Sequence, residues 1–257
     1  MAKLEARLDE APLAGREPIT VAGLKKLVDA VTPAVCKIVY RSGTASGFLC
    51  VYKRGFTLKD DMYVLVTNNH VISDISLRSL KSYIFEFQSV SSMRGFQLTK
   101  EILISPWTDG NLDATVIGIK QGMAGRMMNQ GARFIEMGTA IVGNVAAVIG
   151  HPEGDETSID YGKIEQINNE YQILHRSSTK PGSSGSPLVT MEGKVIGIHK
   201  GSFSAECNEA VHLEFVMKRY ILDGNQTGPT LGKNTRNLSR NFLLEMAIKN
   251  INEDLSF

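Results

Sequence analysis

The stretch "TKPGSSGSPL", residues 179–188, packs two glycines, two prolines and three serines into ten positions. Core-like segments flank it on both sides: "YQILHRSS" (171–178) before and "PLVTMEGKVIGIHKG" (187–201) after. A flexible linker is not usually set between two such runs. The stretch therefore reads as a tight loop inside a β-structure. Glycines let such a loop turn several backbone N–H groups one way, and donors of that kind suit negative charge developing on an oxygen beside a serine hydroxyl. It is not the strand-to-helix elbow G-x-S-x-G, because Ser186 rather than glycine stands two places after Ser184 and a strand-like run follows.

Outward from the loop, short apolar runs bounded by turn residues succeed one another. A first set runs 34–40, 46–53, 62–68, 82–90, 99–104 and 113–119, and a second runs 140–150, 162–168, 170–178, 186–190, 193–201 and 210–216. Many are rich in Val, Ile, Tyr and Phe, with no helices alternating between them. About a dozen strands in two groups predict an all-β fold of two antiparallel barrels or sandwiches. Before them, "VAGLKKLVDAV" (21–31) spaces its apolar residues as a helix does, stopped at Thr32-Pro33. The tail 236–255 has a second helical stripe, from Leu238 to Leu255. The expected divisions are an N-terminal extension with a short helix (1–30), a first barrel (31–125), a second barrel (126–222) and a C-terminal tail and helix (223–257).

The chain of 257 residues is 42% hydrophobic and 21% charged, with a formal net charge of +1, so nothing global points to nucleic acid or a membrane surface. No apolar run is long enough to span a bilayer, and the charged first 18 residues lack the apolar centre of a secretory signal. The three cysteines, Cys36, Cys50 and Cys207, have no CxxC spacing and argue against a disulfide framework. An intracellular location is expected from these features. His199, Cys207 and His212 lack zinc spacing, so neither a metal nor another cofactor is expected.

A serine hydroxyl becomes a nucleophile only when a base takes its proton, and a histidine base needs an acid to orient it. His70 ends the run "YVLVTNN", where a side chain can turn toward a cleft. Asp113 opens the apolar run "DATVIGI", where a carboxylate is costly unless hydrogen-bonded. Asp109 competes as the acid but sits in "WTDGN", which reads as a turn. Ser183 competes with Ser184 as the hydroxyl, and the loop alone leaves the choice open. The order His70, Asp113, Ser184 is the chymotrypsin order, not that of subtilisin or the α/β-hydrolases.

Together "VLVTNNHVI" (64–72), "NLDATVIGI" (111–119) and "PGSSGSPL" (181–188), spaced by 43 and 71 residues between the three side chains, resemble the signature segments of trypsin-fold serine peptidases. "SGTASGFLCVY" (42–52) and "VIGHPEG" (148–154) are similar to segments of the glutamyl-endopeptidase and HtrA-like branch. The resemblance covers roughly residues 31–222. It implies two six-stranded barrels with a cleft between them, His70 as general base, Asp113 as its orienter, Ser184 as nucleophile, and the amides of Gly182 and Ser184 as oxyanion hole. The substrate would be a protein or peptide. A non-catalytic protein-binding module on the same scaffold is the alternative. Neither a docking module of the HtrA kind after the second barrel nor a trimeric HtrA assembly is expected, and the sequence does not fix the oligomeric state.

Six residues before the nucleophile, where trypsin-like enzymes place an aspartate, stands Ser178, so preference for Lys or Arg is not expected. Thr179 and, on the far wall with Gly201, His199 resemble the threonine–histidine pair by which glutamyl endopeptidases and viral 3C-type peptidases grip Glu or Gln. Two donors facing one carboxylate or amide oxygen make chemical sense of that pair. Lys180 and Lys200 flank the site and favour an acidic side chain, so cleavage after Glu, with Gln second, is the expectation. His151 and His175 read as structural, and His212 as part of the last strand.

Overall fold

The computed structural model describes residues 19–227 apart from 54–60, 76, 94, 98 and 100–102. The expected tail helix (236–255) and most of the N-terminal extension lie outside the described residues. Helix α1 spans Val21–Val31, where the sequence placed it. Thr20 caps it by accepting the Gly23 N–H at 3.0 Å, a device worth about 1 kcal/mol. Leu27 and Val31 are its buried face, and a turn of 3-10 helix carrying Pro33 ends it.

Strands β1 (Val35–Tyr40), β2 (Gly43–Tyr52) and β3 (Met62–Thr67) follow, then the single turn α2 (Leu77–Leu80), β4 (Ile84–Glu86), β5 (Leu103–Asp109) and β6 (Ala114–Ile119). They pair antiparallel in the order β4-β1-β2-β3-β6-β5. Among the described residues no strand pairing joins β4 to β5, so this first sheet is six antiparallel strands with an open hydrogen-bonded path. β6 is buried at every position and β3 at all but its first, as central strands wrapped around a core require.

Helix α3 (Gln121–Asn129) leads to β7 (Ile135–Glu136), which adds to β2 in parallel. The next two residues pass to the other half: Met137 bridges to Val195, and the Gly138 N–H donates to the Val195 carbonyl at 2.9 Å. Glu136 forms ion pairs with both Lys53 and Lys194, one from each half. Lys194 first, then Lys53, holds its carboxyl below the usual range.

The second half is a closed barrel of β8 (Val145–Gly150), β9 (Ser158–Asn168), β10 (Gln172–His175), β11 (Pro187–Thr190), β12 (Val195–Ser202) and β13 (Asn208–His212). Its order is β10-β13-β12-β11-β8-β9, with β9 closing on β10. The strand expected over 210–216 stops at His212, where helix α4 (Leu213–Thr227) begins. Leu213, Val216, Met217, Tyr220 and Ile221 are buried, a spacing of three and four that belongs to a helix. This helix reaches back to the first half, where the Trp107 indole N–H donates to Asp223 Oδ2 at 3.1 Å. No described helix is long and apolar enough to cross a membrane.

Candidate active site

His70 follows β3, and Asp113 precedes β6, its hydrogen-bonded neighbour. The structure brings the two together. The His70 backbone N–H donates to Asp113 Oδ1 at 2.8 Å, and the ring Nδ1 lies 2.8 Å from Oδ2. One carboxylate thus fixes both the backbone and the ring of the histidine, leaving Nε2 as the outward nitrogen. The Asp113 side chain is 11% exposed and the His70 side chain 48%, so a shielded acid stands behind an accessible base. Asp113 holds φ at +53°, in the left-handed region that aspartate tolerates better than most residues. The buried amide of Asn68 steadies that conformation, its Nδ2 donating to the Asp113 carbonyl at 3.0 Å. The competitor Asp109 serves the turn instead. Its Oδ1 accepts the N–H groups of Asn111 and Leu112 at 2.8 and 3.1 Å, closing the chain reversal before Asp113.

The 179–188 loop is tight. Inside it, Ser183 N–H donates to the Lys180 carbonyl and Ser186 N–H to the Ser183 carbonyl, at 3.1 and 3.0 Å. Gly185 N–H donates to the His199 carbonyl and His199 N–H to the Ser186 carbonyl, which fastens the loop to β12. Among the described residues the Gly182 and Ser184 amides donate to no backbone carbonyl and no side chain. The loop therefore presents two open donors flanking the buried Ser183. Gly182 takes φ +94°, and a Cβ there would stand 2.6 Å from the His151 carbonyl oxygen. The Ser184 hydroxyl donates to the Lys200 carbonyl at 3.1 Å. It is not hydrogen-bonded to His70.

Ser46, on β2, joins these parts, and nothing in the sequence singled it out. Fully buried, it donates its N–H to the Ser184 carbonyl at 2.9 Å and its hydroxyl to the Gly182 carbonyl at 2.9 Å. Its hydroxyl oxygen accepts the His151 N–H at 2.9 Å, and its carbonyl accepts the Thr67 hydroxyl at 2.8 Å. Three residues after Thr67 comes His70, so the strand leading to His70 and the 179–188 loop hang from one residue.

Of the expected pocket residues, Ser178 is exposed and lines a cleft of about 190 Å³ with Thr179, Lys180, Ser183, Gly150 and Pro152. Thr179 Oγ1 accepts from Asn208 Nδ2 at 3.1 Å, and the same amide donates to the Ser177 carbonyl, a support the sequence did not reveal. His199 does not line that cleft: it is 1% exposed, and its Nδ1 lies 3.2 Å from His175 Nε2. Burial lowers the pKa of His175 to about 4 and, with the neighbouring His175 and His70, that of His199 to about 3. Both rings are neutral near pH 7. The Ser177 N–H donates to His175 Nδ1 at 3.3 Å, so that ring's proton sits on Nε2, which donates to His199 Nδ1. His199 then carries its own proton on Nε2. Gly201 takes φ +155° with open space where a Cβ would be. The two lysines expected to lend positive charge are already paired, Lys180 with Glu153 at 3.0 Å and Lys200 with Glu209 at 3.2 Å. His151 is fully buried, with Nδ1 against the Asp155 carbonyl, and His212 Nδ1 lies against the Glu170 carbonyl.

A closed six-stranded barrel packed against a second antiparallel sheet, with a histidine–aspartate couple on the sheet and a serine loop on the barrel, is the architecture of the trypsin-like fold. The chain belongs to the trypsin-like peptidase domain family, whose model matches residues 45–198. It is similar to polyprotein P2A of Southern cowpea mosaic virus, 27% identical over 91 residues, covering 35% of this chain and 16% of that one. A second relative, "Probable periplasmic serine endoprotease DegP-like" of Chlamydia pneumoniae, is 27% identical over 159 residues, 56% of this chain and 28% of that one. The chain thus spans well under a third of these relatives' lengths. Among solved structures, the serine endoprotease from Yersinia pestis superposes with TM-score 0.57 at 22% identity, over 81% of this chain and 69% of that one. The Rv3671c protease of M. tuberculosis, in an inactive form, gives 0.57 at 18% identity, over 80% and 96%. These likenesses concern the fold.

Proposed function

We propose that this chain is a serine endopeptidase acting on protein or peptide substrates. In this reading Ser184 is the nucleophile, His70 the general base, Asp113 its orienter, and the Gly182 and Ser184 amides the oxyanion hole. The observation that carries it is the 2.8 Å contact between His70 Nδ1 and Asp113 Oδ2, set against a loop with two uncommitted amides. The step requires the Ser184 hydroxyl to leave the Lys200 carbonyl and take His70 Nε2 as its partner. Oγ then gives its proton to Nε2 and bonds to the scissile carbonyl carbon, whose oxygen becomes an oxyanion facing the two amides. Collapse breaks the C–N bond, the amine leaves with the proton from His70, and water repeats the sequence on the acyl-serine. Labelling by a fluorophosphonate probe that vanishes in Ser184→Ala supports the proposal, whereas equal labelling of the two proteins sinks it.

The specificity proposed is Glu or Gln before the cut bond. Thr179 would give its hydroxyl proton and His199 its Nε2–H to the substrate's terminal oxygen. A neutral His199 supplies a dipole rather than a charge, and Lys180 and Lys200 already have carboxylate partners. The neutral imidazole and the paired lysines weaken the electrostatic basis for Glu over Gln, which stays the proposed order. Profiling a peptide library with purified protein tests this: cleavage chiefly after Lys, Arg or large aromatic residues would remove it.

The alternative, a non-catalytic binding module, is favoured by one observation, the Ser184 hydroxyl turned to the Lys200 carbonyl. A covalent probe adduct on Ser184 rules it out. The name of the Chlamydia pneumoniae relative places that protein in the periplasm; for this chain the intracellular location read from the cysteine usage and the absence of a signal pattern is a proposal.

A further inference from the structure

We propose that Ser46 is a positioning residue that sets the direction of the oxyanion-hole amides by locking the nucleophile loop between β2 and the turn at His151–Gly154. The inference rests on the peptidase reading and names a part of its machinery. A trans peptide points its C=O and N–H in opposite directions, so whatever holds the carbonyl aims the amide. The Pro181 carbonyl accepts the Glu153 N–H at 2.5 Å, which turns the Gly182 N–H away from that turn. The Gly182 carbonyl accepts the Ser46 hydroxyl, which turns the next amide, Ser183 N–H, inward to Lys180. Ser183 offers its carbonyl to Ser186 N–H, which frees the Ser184 amide. The Ser184 carbonyl accepts the Ser46 N–H. Ser46 thus fixes the two peptide planes that follow those carrying the Gly182 and Ser184 amides, and it sets these amides indirectly, by holding the carbonyl on the far side of each residue.

The turn that fixes the first plane depends on Ser46 too. Its His151 N–H ends on the Ser46 hydroxyl, so a single oxygen joins turn and loop by accepting from one and donating to the other. Glu153 holds φ +58°, a left-handed conformation unusual for a residue other than glycine, and by holding it presents its N–H to Pro181. Close approach is enforced throughout. A Cβ on Gly150 would lie 1.8 Å from Ser186 Oγ and 2.9 Å from Ser46 Oγ, and one on Gly154 would lie 2.5 Å from Thr44 Oγ1. Ser46 hydrogen-bonds neither the His70 ring nor the Ser184 hydroxyl, and Ser46→Ala keeps the backbone links to Thr67 and to the Ser184 carbonyl, so the substitution removes only the hydroxyl's hold on Gly182 and His151.

The test is Ser46→Ala in the full chain, read per folded molecule below its melting temperature. Expected are a fall in kcat of about 10- to 100-fold, less than outright loss of an oxyanion donor, and KM within about twofold. Affinity for a peptide boronate, whose tetrahedral adduct needs the hole, should fall in step with kcat, while affinity for the cleaved product peptide holds. Ser46→Cys, which keeps volume and a weak donor, should lie between the two and serves if the alanine variant does not fold. A lowered melting temperature with kcat and boronate affinity unchanged in either variant overturns the proposal and assigns Ser46 to stability only. Wild-type protein is probed first with the fluorophosphonate: absence of labelling overturns the peptidase reading and this inference together, whereas labelling with an unaffected Ser46→Ala overturns this inference only.

Discussion

His175 Nε2 donates to His199 Nδ1 at 3.2 Å, and each imidazole is buried. The sequence offered the first as a structural residue and the second as a pocket residue, and the structure makes them one unit. Because the Ser177 amide fixes the tautomer of His175, His175 fixes that of His199. Replacing His175 by leucine removes that control, and His199 can then place its proton on Nδ1 and offer a lone pair where a donor is needed. His175→Leu and His199→Leu are each expected to lower kcat/KM on Glu and Gln substrates about tenfold, the worth of roughly one hydrogen bond, and to leave cleavage after Leu little changed. Steady-state kinetics on matched peptides checks this, and an effect confined to His199→Leu would leave His175 as packing.

The same pair predicts acid lability. Both folded-state pKa values, about 4 and about 3, lie below the ordinary 6.5, so the unfolded chain binds more protons than the native one between pH 6.5 and about 3. Stability is therefore fully present above pH 6.5 and is lost as pH falls through that window. Chemical denaturation followed from pH 7 to pH 4 should show a slope approaching two protons, and His175→Gln should make it shallower.

Asp113 holds His70 through both backbone and ring. Asp113→Asn is expected to lower kcat by about a thousandfold or more while leaving KM near its original value, because the amide imposes the wrong tautomer on the ring. Single-turnover measurements separate this from weakened binding. The melting temperature should change little, since the backbone contact to His70 can survive.

Gly150 has the least room of the glycines near the site, a Cβ there falling 1.8 Å from the buried Ser186 hydroxyl. Gly150→Ala should destabilise the protein by about 1–3 kcal/mol, as overpacking does, and lower activity by displacing the His151 turn. Urea denaturation beside activity per folded molecule gives both numbers.

Much of the β-architecture was legible because β-branched runs bounded by turn residues state it locally. Residues 21–31 and the pairing of His70 with Asp113 were legible for a similar reason: each has a pattern or an anomaly in its own segment. Helix α4 was misread as a strand over 213–216, because "AVHLEFV" suits a strand and the helical spacing of its buried residues emerges only when the window extends to Ile221. Helix α3, with two glycines and a weak apolar face, gave no pattern to find. Ser46 and Asn208 were invisible for another reason. Each acts by side-chain hydrogen bonds to backbone groups 31 to 136 residues away, and a serine or asparagine in a strand carries no mark of that. The Ser177–His175–His199 chain likewise needs the barrel closed before its members meet.

The nucleophile loop takes its shape from a strand of the other half of the molecule. A growing chain leaving the ribosome completes β2 well before residues 179–188 are made, and the loop lacks its Ser46 contacts until the barrel docks against the first sheet. Proteolytic competence would then switch on with the last step of assembly. A half-built copy would be harmless to its neighbours, and a copy whose halves have come apart would lose its bite before it loses either the sheet or the barrel.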